Sequence, residues 1–208
     1  MTALLLVDLQ NDFFPGGALA VKEGDQVLPV VNELVKMPFD LIVATKDFHP
    51  PMHISFATTH GKRVGDKIKH HGVDQVLWPD HCVQGTKGSE FAFKFPEALI
   101  DEIVFKGTLL DVDSYSTFYD NDHKSTTGLE TLLKKQGIQT LYVTGLATDY
   151  CVKYSVLDAI ALGFSVYVVK EGCRAVNLNA DDEEKAYDEM EKMGAKLISI
   201  KELRERGI

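Results

Sequence analysis

Short apolar runs alternate with amphipathic helical patterns along almost the whole chain. The runs lie at residues 3–7, 41–44, 103–105, 140–144, 166–169 and 196–200. Strands that read as continuous apolar runs are typical of parallel sheets buried on both faces. The pattern therefore predicts an α/β fold in which helices cover both faces of a parallel sheet.

Four segments between these runs carry apolar residues at helical spacing. The first follows Asp25, which we expect to act as its N-cap, and its apolar positions extend from residue 27 to 35. The other three are expected at about 125–136 before Gly137, from Asp149 or Tyr150 to Gly163, and from Asp181 or Asp182 to Gly194. In the second, Leu129, Leu132 and Leu133 should face the core. Glycine is a common helix stop because it adopts positive φ without steric cost.

Residues 45–96 lack this alternation of apolar runs and helical patterns. They have little periodicity, yet they contain most of the histidines and the only tryptophan. Long irregular segments in compact domains are usually functional or mobile. In an open parallel sheet, ligands bind beyond the carboxyl ends of the strands, so we expect chemistry there and at the residues that follow each strand.

Composition narrows the class of protein. The chain has 208 residues, 45% hydrophobic and 25% charged, which predicts one globular domain spanning residues 1–208. A formal net charge of −9 argues against binding to nucleic acids or anionic membranes. The amino-terminal apolar run ends at Asp8, too soon for a membrane anchor or secretion signal. Three cysteines are too few for a disulfide framework, so we expect a reducing compartment, the cytoplasm.

Three residues with nucleophilic or acid–base chemistry follow different predicted strands. Asp8 follows the first, Lys106 the third and Cys151 the turn after the fourth, so the three side chains should meet at one edge of the sheet. Cys151 also begins a predicted helix, where the dipole and a nearby lysine would favour the thiolate. The alternative is that Cys151 is buried packing, Asp8 caps a turn and Lys106 is solvated.

A second group of side chains has metal-ligand chemistry. Asp47 and His49 are two residues apart on an extended segment, which puts both side chains on one side. His81 can complete three protein ligands, and His53 is a further candidate. Such a set suits zinc, iron or manganese about equally, and the alternative is a histidine cluster without a metal. The remaining histidines are expected on the surface: His60, His70, His71 and His123.

Eight ordered motifs resemble those of the nicotinamidases, a family of the cysteine hydrolase superfamily that also contains isochorismatase. They lie at residues 7–13, 16–21, 45–50, 53–56, 78–83, 105–107, 113–118 and 145–152, so the resemblance covers almost the whole chain. The Asp-x-His and Trp-Pro-x-His-Cys motifs distinguish nicotinamidases from isochorismatase-like members, which generally lack the metal site. The resemblance implies a three-layer α/β/α fold with a six-stranded parallel sheet ordered 3-2-1-4-5-6, the isochorismatase-like hydrolase fold.

The resemblance also implies roles for individual residues. Asp8, Lys106 and Cys151 would form a catalytic triad. Asp47, His49 and His81, joined by His53 in some relatives, would bind one divalent metal ion per subunit, with zinc favoured over iron or manganese. The peptide bond between Leu146 and Ala147 would be cis, and the N–H groups of Ala147 and Cys151 would form an oxyanion hole. The substrate would lie among Phe13, Leu19, Trp78, Tyr115 and Tyr150.

The implied activity is hydrolysis of nicotinamide to nicotinate and ammonia through a thioester, in NAD salvage. The main alternative is a related aromatic amidase or an isochorismatase-type hydrolase. Two others are an enzyme whose nucleophile is a metal-bound water and a catalytically silent scaffold. The expected partner is the small-molecule substrate, and a homo-oligomer is left open. Two features depart from the family pattern: residues 58–76 resemble a solvated insertion, and Tyr150 stands where some relatives have histidine.

Overall fold

The computed structural model describes residues 1–207, and eight strands occur in this range. In chain order they are β1 (Thr2–Val7), β2 (Leu41–Asp47), β3 (Lys67–His70), β4 (Val73–Val76), β5 (Glu102–Lys106), β6 (Thr140–Leu146), β7 (Ser165–Arg174) and β8 (Lys196–Ile198). Six of them form one sheet in the order β5-β2-β1-β6-β7-β8, and every neighbouring pair is parallel. The prediction of a six-stranded parallel sheet with order 3-2-1-4-5-6 is confirmed.

Five α-helices accompany the strands in this part of the chain: α1 (Val27–Leu34), α2 (Leu129–Lys135), α3 (Lys153–Ala161), α4 (Asp182–Met193) and α5 (Ile200–Glu205). Successive residues of β1 point to opposite faces of the sheet, as a strand requires. Leu5 belongs to a core cluster with residues of α2, α3 and α4, and Leu4 belongs to a second cluster with residues of α1 and α5. Helices therefore cover both faces, which confirms the three-layer α/β/α arrangement.

The order of the strands fixes where a ligand can bind. The chain winds outward from β1 in one direction to β2 and β5, and in the other to β6, β7 and β8. The crevice beyond the carboxyl ends of β1 and β6 is therefore the switch point of the sheet, where open α/β proteins bind their ligands.

Three predicted boundaries were wrong for local reasons. The second helix begins at Leu129 and not near 125, because Gly128 adopts a φ of 87°. Asp25 is not the N-cap of α1, because a 3₁₀ turn at Gly24–Gln26 precedes the helix and makes Gln26 the N-cap. The last strand ends at Ile198, since Ser199 begins α5 with a capping box to Glu202, and this helix was not predicted.

The region between β2 and β5 contains more order than its sequence pattern suggests. Residues 67–76 form an antiparallel hairpin, β3–β4, within the segment expected to be a solvated insertion. His60 and His70 are half-buried, whereas His71 and His123 are exposed as predicted. No helix in the described part of the chain combines the length and apolar composition that crossing a bilayer requires.

The packing of α2 gives a test of the fold. Leu133 is fully buried in the core, whereas Leu132, which was also predicted to face inward, is only half-buried. Leu133→Ala should lower the free energy of unfolding by about 2–5 kcal/mol because it leaves a cavity. Leu132→Ala, the matched control one residue away, should cost clearly less. Urea unfolding measures both, and a larger loss for Leu132→Ala would show that the helix is turned differently.

Candidate active site

Three strand ends bring Asp8, Lys106 and Cys151 together. Asp8 directly follows β1, Lys106 is the last residue of β5, and Cys151 lies in a π-helical turn, Thr148–Val152, between β6 and α3. The Lys106 Nζ atom is 2.9 Å from Asp8 Oδ2 and 3.3 Å from Cys151 Sγ. The structure therefore assembles the three residues that the sequence placed at one edge of the sheet.

The Lys106 ammonium is buried and has protein partners on several sides. It donates hydrogen bonds to Asp47 Oδ1 at 2.6 Å, to the Ser114 carbonyl at 2.8 Å and to Cys151 Sγ. Burial lowers the pKa of Lys106, but the carboxylates of Asp47 and Asp8 outweigh this effect and raise the pKa well above its ordinary value. The group therefore remains a fixed positive charge between two carboxylates and a thiol.

The state of the Cys151 thiol differs from the expectation of a thiolate. Burial raises the pKa of Cys151 well above its ordinary value, and the carboxylates of Asp8 and Asp47 raise it further, while Lys106 opposes them. The residue lies inside a closed turn, where desolvation outweighs the favourable field of a helix start. Burial thus disfavours the thiolate of Cys151, and a base close to the thiol would help it to become a nucleophile.

Asp8 is the candidate for that base, since one of its carboxylate oxygens lies within 4.8 Å of Cys151 Sγ. Its Oδ1 atom accepts a hydrogen bond of 2.6 Å from the Thr45 hydroxyl. Its Oδ2 atom is buried and lies 2.9 Å from the Lys106 ammonium, with which it forms an ion pair. Burial raises the pKa of the Asp8 carboxyl, against the effect of Lys106. A carboxylate oxygen of this kind readily accepts a proton.

Asp47, His49 and His81 form a compact group next to the triad. Asp47 Oδ2 is 3.2 Å from His49 Nε2 and 3.5 Å from His81 Nε2. The opposite nitrogens contact backbone carbonyls: His49 Nδ1 is 2.9 Å from the Gly107 oxygen, and His81 Nδ1 is 2.7 Å from the Pro79 oxygen. If Nδ1 of each ring carries the proton, each Nε2 has a free lone pair that points toward Asp47 Oδ2. Metal-binding histidines usually have this arrangement, with one nitrogen bonded to the protein and the other free for the metal.

The chemistry of this group fits a divalent metal ion. His49 Nε2 is buried and makes no hydrogen bond to the described residues, and Asp47 already uses Oδ1 to bind Lys106. Burial opposes ionisation of Asp47, but the Lys106 ammonium counters this effect, and the pKa of the carboxyl is held well below the ordinary value. Asp8 and Asp47 thus place two carboxylates against one ammonium in a buried site. A cation held by Asp47, His49 and His81 would offset the remaining negative charge.

His53 lies beside this group without joining it. Its ring stacks on His49 with 4.2 Å between centroids. Its Nδ1 atom is 2.7 Å from Ser55 Oγ, and its Nε2 atom is 3.2 Å from the Val112 oxygen. Burial and the neighbouring His49 lower the pKa of His53 to about 4, so the ring is neutral at ordinary pH. Both ring nitrogens are occupied by protein atoms.

A narrow cavity opens onto Cys151. All five residues predicted to contact substrate line it, together with Ala147 of the expected oxyanion hole: Phe13, Leu19, Trp78, Tyr115 and Tyr150. Trp78 Nε1 donates a hydrogen bond of 3.1 Å to the Tyr115 hydroxyl, and Tyr150 packs edge-on against Trp78 with 4.8 Å between centroids. The Leu146–Ala147 peptide bond is cis, as the resemblance implied. The cavity thus has an aromatic wall opposite the thiol.

Two further residues, Gln10 and Asp149, hold parts of the site in place, and their sequence positions alone predicted no such role. Gln10 holds the Asp47 backbone, because its Oε1 accepts from Asp47 N at 2.8 Å and its Nε2 donates to Asp47 O at 2.7 Å. Asp149 accepts from the N–H groups of Val176 and Asn177, and Val176 lines the cavity. Gln10 and Asp149 both fall inside motifs that carried the family resemblance, which was the only available signal for them.

Comparison with known proteins is consistent with this geometry. The isochorismatase domain family matches residues 2–202. A nicotinamidase of Escherichia coli strain K12 is 44% identical over 201 residues, covering 95% of this chain and 94% of that protein. A solved structure of an Acinetobacter baumanii nicotinamidase and pyrazinamidase is 42% identical with a TM-score of 0.94 and covers 97% of both chains. A Pyrococcus horikoshii pyrazinamidase solved in complex with zinc is 38% identical with a TM-score of 0.77, covering 96% of this chain and 99% of that one.

Gly107 offers a test of how the imidazole of His49 is held. Gly107 has a φ of 61°, and a Cβ there would lie 2.5 Å from Cε1 of His49. Gly107→Ala should therefore displace the ring and lower the amount of zinc that the protein retains after dialysis. Gly61→Ala is the matched control, since Gly61 has a φ of 59° with nothing within 4 Å of its Cβ position. Equal zinc retention by both variants would contradict this role of Gly107.

Proposed function

The chain belongs to the isochorismatase family, and from that premise we propose that it is an amidase that hydrolyses nicotinamide to nicotinate and ammonia. One observation carries the proposal most strongly. The Cys151 thiol lines an aromatic cavity, and the Lys106 ammonium, which does not itself line the cavity, lies 3.3 Å from that thiol and 2.9 Å from a carboxylate oxygen of Asp8. This arrangement suits attack on the carbonyl carbon of a small, flat, neutral amide.

The ring of the substrate lies in the cavity between Phe13 and Trp78, which places the carboxamide over Cys151. Both aromatic side chains are buried, so they offer the substrate ring apolar surfaces that are already held in place by the fold. Holding the amide carbon over the thiol converts a bimolecular attack into an intramolecular one. A divalent metal ion bound by Asp47, His49 and His81 would supply a Lewis acid next to the pyridine nitrogen.

The first half of the reaction forms a thioester. Asp8 Oδ2 accepts the proton of Cys151 as Sγ forms its bond to the amide carbon, and the carbonyl π electrons move to oxygen. The N–H groups of Ala147 and Cys151 stabilise that oxyanion. As the oxyanion collapses, the carbon–nitrogen bond breaks and Asp8 gives its proton to the leaving nitrogen, which departs as ammonia. The Lys106 ammonium stabilises the negative charge on Asp8 and the negative charge that develops on Cys151 Sγ while the proton moves.

The second half regenerates the thiol. Asp8, again a carboxylate, accepts a proton from a water molecule as the water oxygen attacks the thioester carbon. The carbon–sulfur bond breaks, and Asp8 returns its proton to Cys151. The product leaves as the carboxylic acid and becomes nicotinate when its remaining proton passes to solvent. The pKa of Asp8, raised by burial, suits it to take and return a proton twice in each cycle.

The proposal also includes the identity of the metal ion and the compartment of the enzyme. We favour zinc, because a carboxylate with two imidazoles is a ligand set that zinc readily accepts, and a relative at 38% identity was solved with zinc. We place the enzyme in the cytoplasm, in NAD salvage, because a catalytic thiol needs a reducing compartment. The three cysteines in the described range are all free.

Replacement of the nucleophile tests the thiol mechanism. Cys151→Ala should abolish ammonia release from nicotinamide while the zinc content stays unchanged, because Cys151 is not among the proposed metal ligands. The matched control is Cys173→Ala, which removes another buried thiol outside the cavity and should retain activity. Turnover by the Cys151→Ala enzyme at the wild-type rate would contradict the thiol mechanism and favour a metal-bound water as the nucleophile.

A set of amide substrates tests how the ring is anchored. We expect ammonia release from nicotinamide and pyrazinamide and much slower release from benzamide, which lacks the ring nitrogen. A chelator should reduce turnover of the first two far more than that of benzamide. Benzamide turnover equal to that of nicotinamide would refute anchoring through the ring nitrogen and would point to a general aromatic amidase.

A further inference from the structure

The hairpin β3–β4 ends in a turn made by His71 and Gly72, which join His70 to Val73. Both turn residues have positive φ, 48° for His71 and 84° for Gly72, as the tight two-residue turns of hairpins require. The turn brings the two imidazoles of His70 and His71 side by side, with 4.1 Å between ring centroids. This pair lies outside the active site described above.

A carboxylate from a distant part of the chain completes the group. Asp111 lies in the segment that follows β5, and its Oδ2 atom is 3.6 Å from Nε2 of His71. Ligand atoms of His70, His71 and Asp111 all lie within 4.8 Å of one another. The same three residues line a cavity that Asp122 and Asn121 also border.

One atom in this group lacks a partner. The Nε2 atom of His70 is shielded from solvent and makes no hydrogen bond to the described residues. A shielded imidazole nitrogen without a partner is unfavourable, because it has lost its water without gaining a donor or acceptor. A bound cation would satisfy it, and the carboxylate of Asp111 would balance part of the positive charge.

We propose that His70, His71 and Asp111 form a second metal site that binds zinc or a chemically similar divalent transition ion. Two imidazoles and one carboxylate are ligands that zinc accepts at sites with an open position, and the adjoining cavity leaves room for a water molecule as the fourth ligand. Hard ions such as magnesium prefer oxygen ligands and are not expected here. The proposal of this site does not depend on the proposed amidase activity.

Such a site would tie the tip of the hairpin to the segment after β5. The same hairpin contributes Gln75, whose Nε2 donates to Asp113 Oδ2 at 2.9 Å, and Asp113 lines the active-site cavity. Metal binding at the tip would therefore hold the strand that supports one wall of the substrate cavity.

The test is the stoichiometry of zinc binding by the whole chain, prepared without a polyhistidine tag. Wild-type protein, His71→Asn and Asp111→Asn are each brought to equilibrium by dialysis against the same micromolar free zinc. Asparagine suits residue 71, because it tolerates positive φ better than most residues. The matched control is His123→Asn, since His123 also has positive φ, 54°, and faces a carboxylate, that of Asp158 at 3.9 Å.

We expect two zinc ions per chain in the wild type and in His123→Asn, and one in His71→Asn and Asp111→Asn. The ion that remains belongs to Asp47, His49 and His81. Equal zinc uptake by all four proteins would overturn the proposal. So would a wild type that binds no zinc beyond the active-site ion, because His71 and Asp111 would then form only an exposed ion pair.

Discussion

The site depends on the ion pairs and hydrogen bond made by the buried ammonium of Lys106. It lies 2.9 Å from a carboxylate oxygen of Asp8, 2.6 Å from one of Asp47 and 3.3 Å from the sulfur of Cys151. Without it, two buried carboxylates would face each other and a thiol with no compensating charge, a costly arrangement in a desolvated site. The same cation therefore holds the proposed base, Asp8, next to the proposed nucleophile, Cys151, and keeps Asp47 ionised for the proposed metal ion.

The parallel sheet makes this convergence possible. β1, β2 and β5 are neighbours, and Asp8, Asp47 and Lys106 stand at their carboxyl ends, while the turn after β6 delivers Cys151. These residues are far apart in the chain, yet each needs only a short extension of a rigid strand to reach the site. The long segment between β2 and β5 supplies what the strands cannot: His81 of the proposed metal group and Trp78 of the aromatic cavity lining.

The strand positions of the parallel sheet and the residues at strand ends could be predicted from the apolar runs, whereas the strand order was available only from the family resemblance. The start of α2 could not be predicted, since it depends on the conformation of Gly128, and the β3–β4 hairpin has only four residues in each strand, too few for a clear alternation. The sequence also predicted conditions that favour the thiolate of Cys151, whereas burial raises the pKa of this thiol. From the sequence, a thiol at the start of a helix is expected to have a lowered pKa. Its pKa in the folded protein, however, depends on how completely it is buried and on the carboxylates around it.

The most direct test of this account is a double-mutant cycle between Lys106 and Asp8, measured by urea unfolding of the metal-free protein. Lys106→Met, which keeps the length and loses the charge, should lower the free energy of unfolding by about 3–5 kcal/mol. Asp8→Asn should then cost much less in that background than in the wild type, because the carboxylate it removes no longer has a partner. If Lys106→Met cost no more than Lys62→Met at an exposed position, or if the two substitutions were additive, the ammonium would not be the centre of the site.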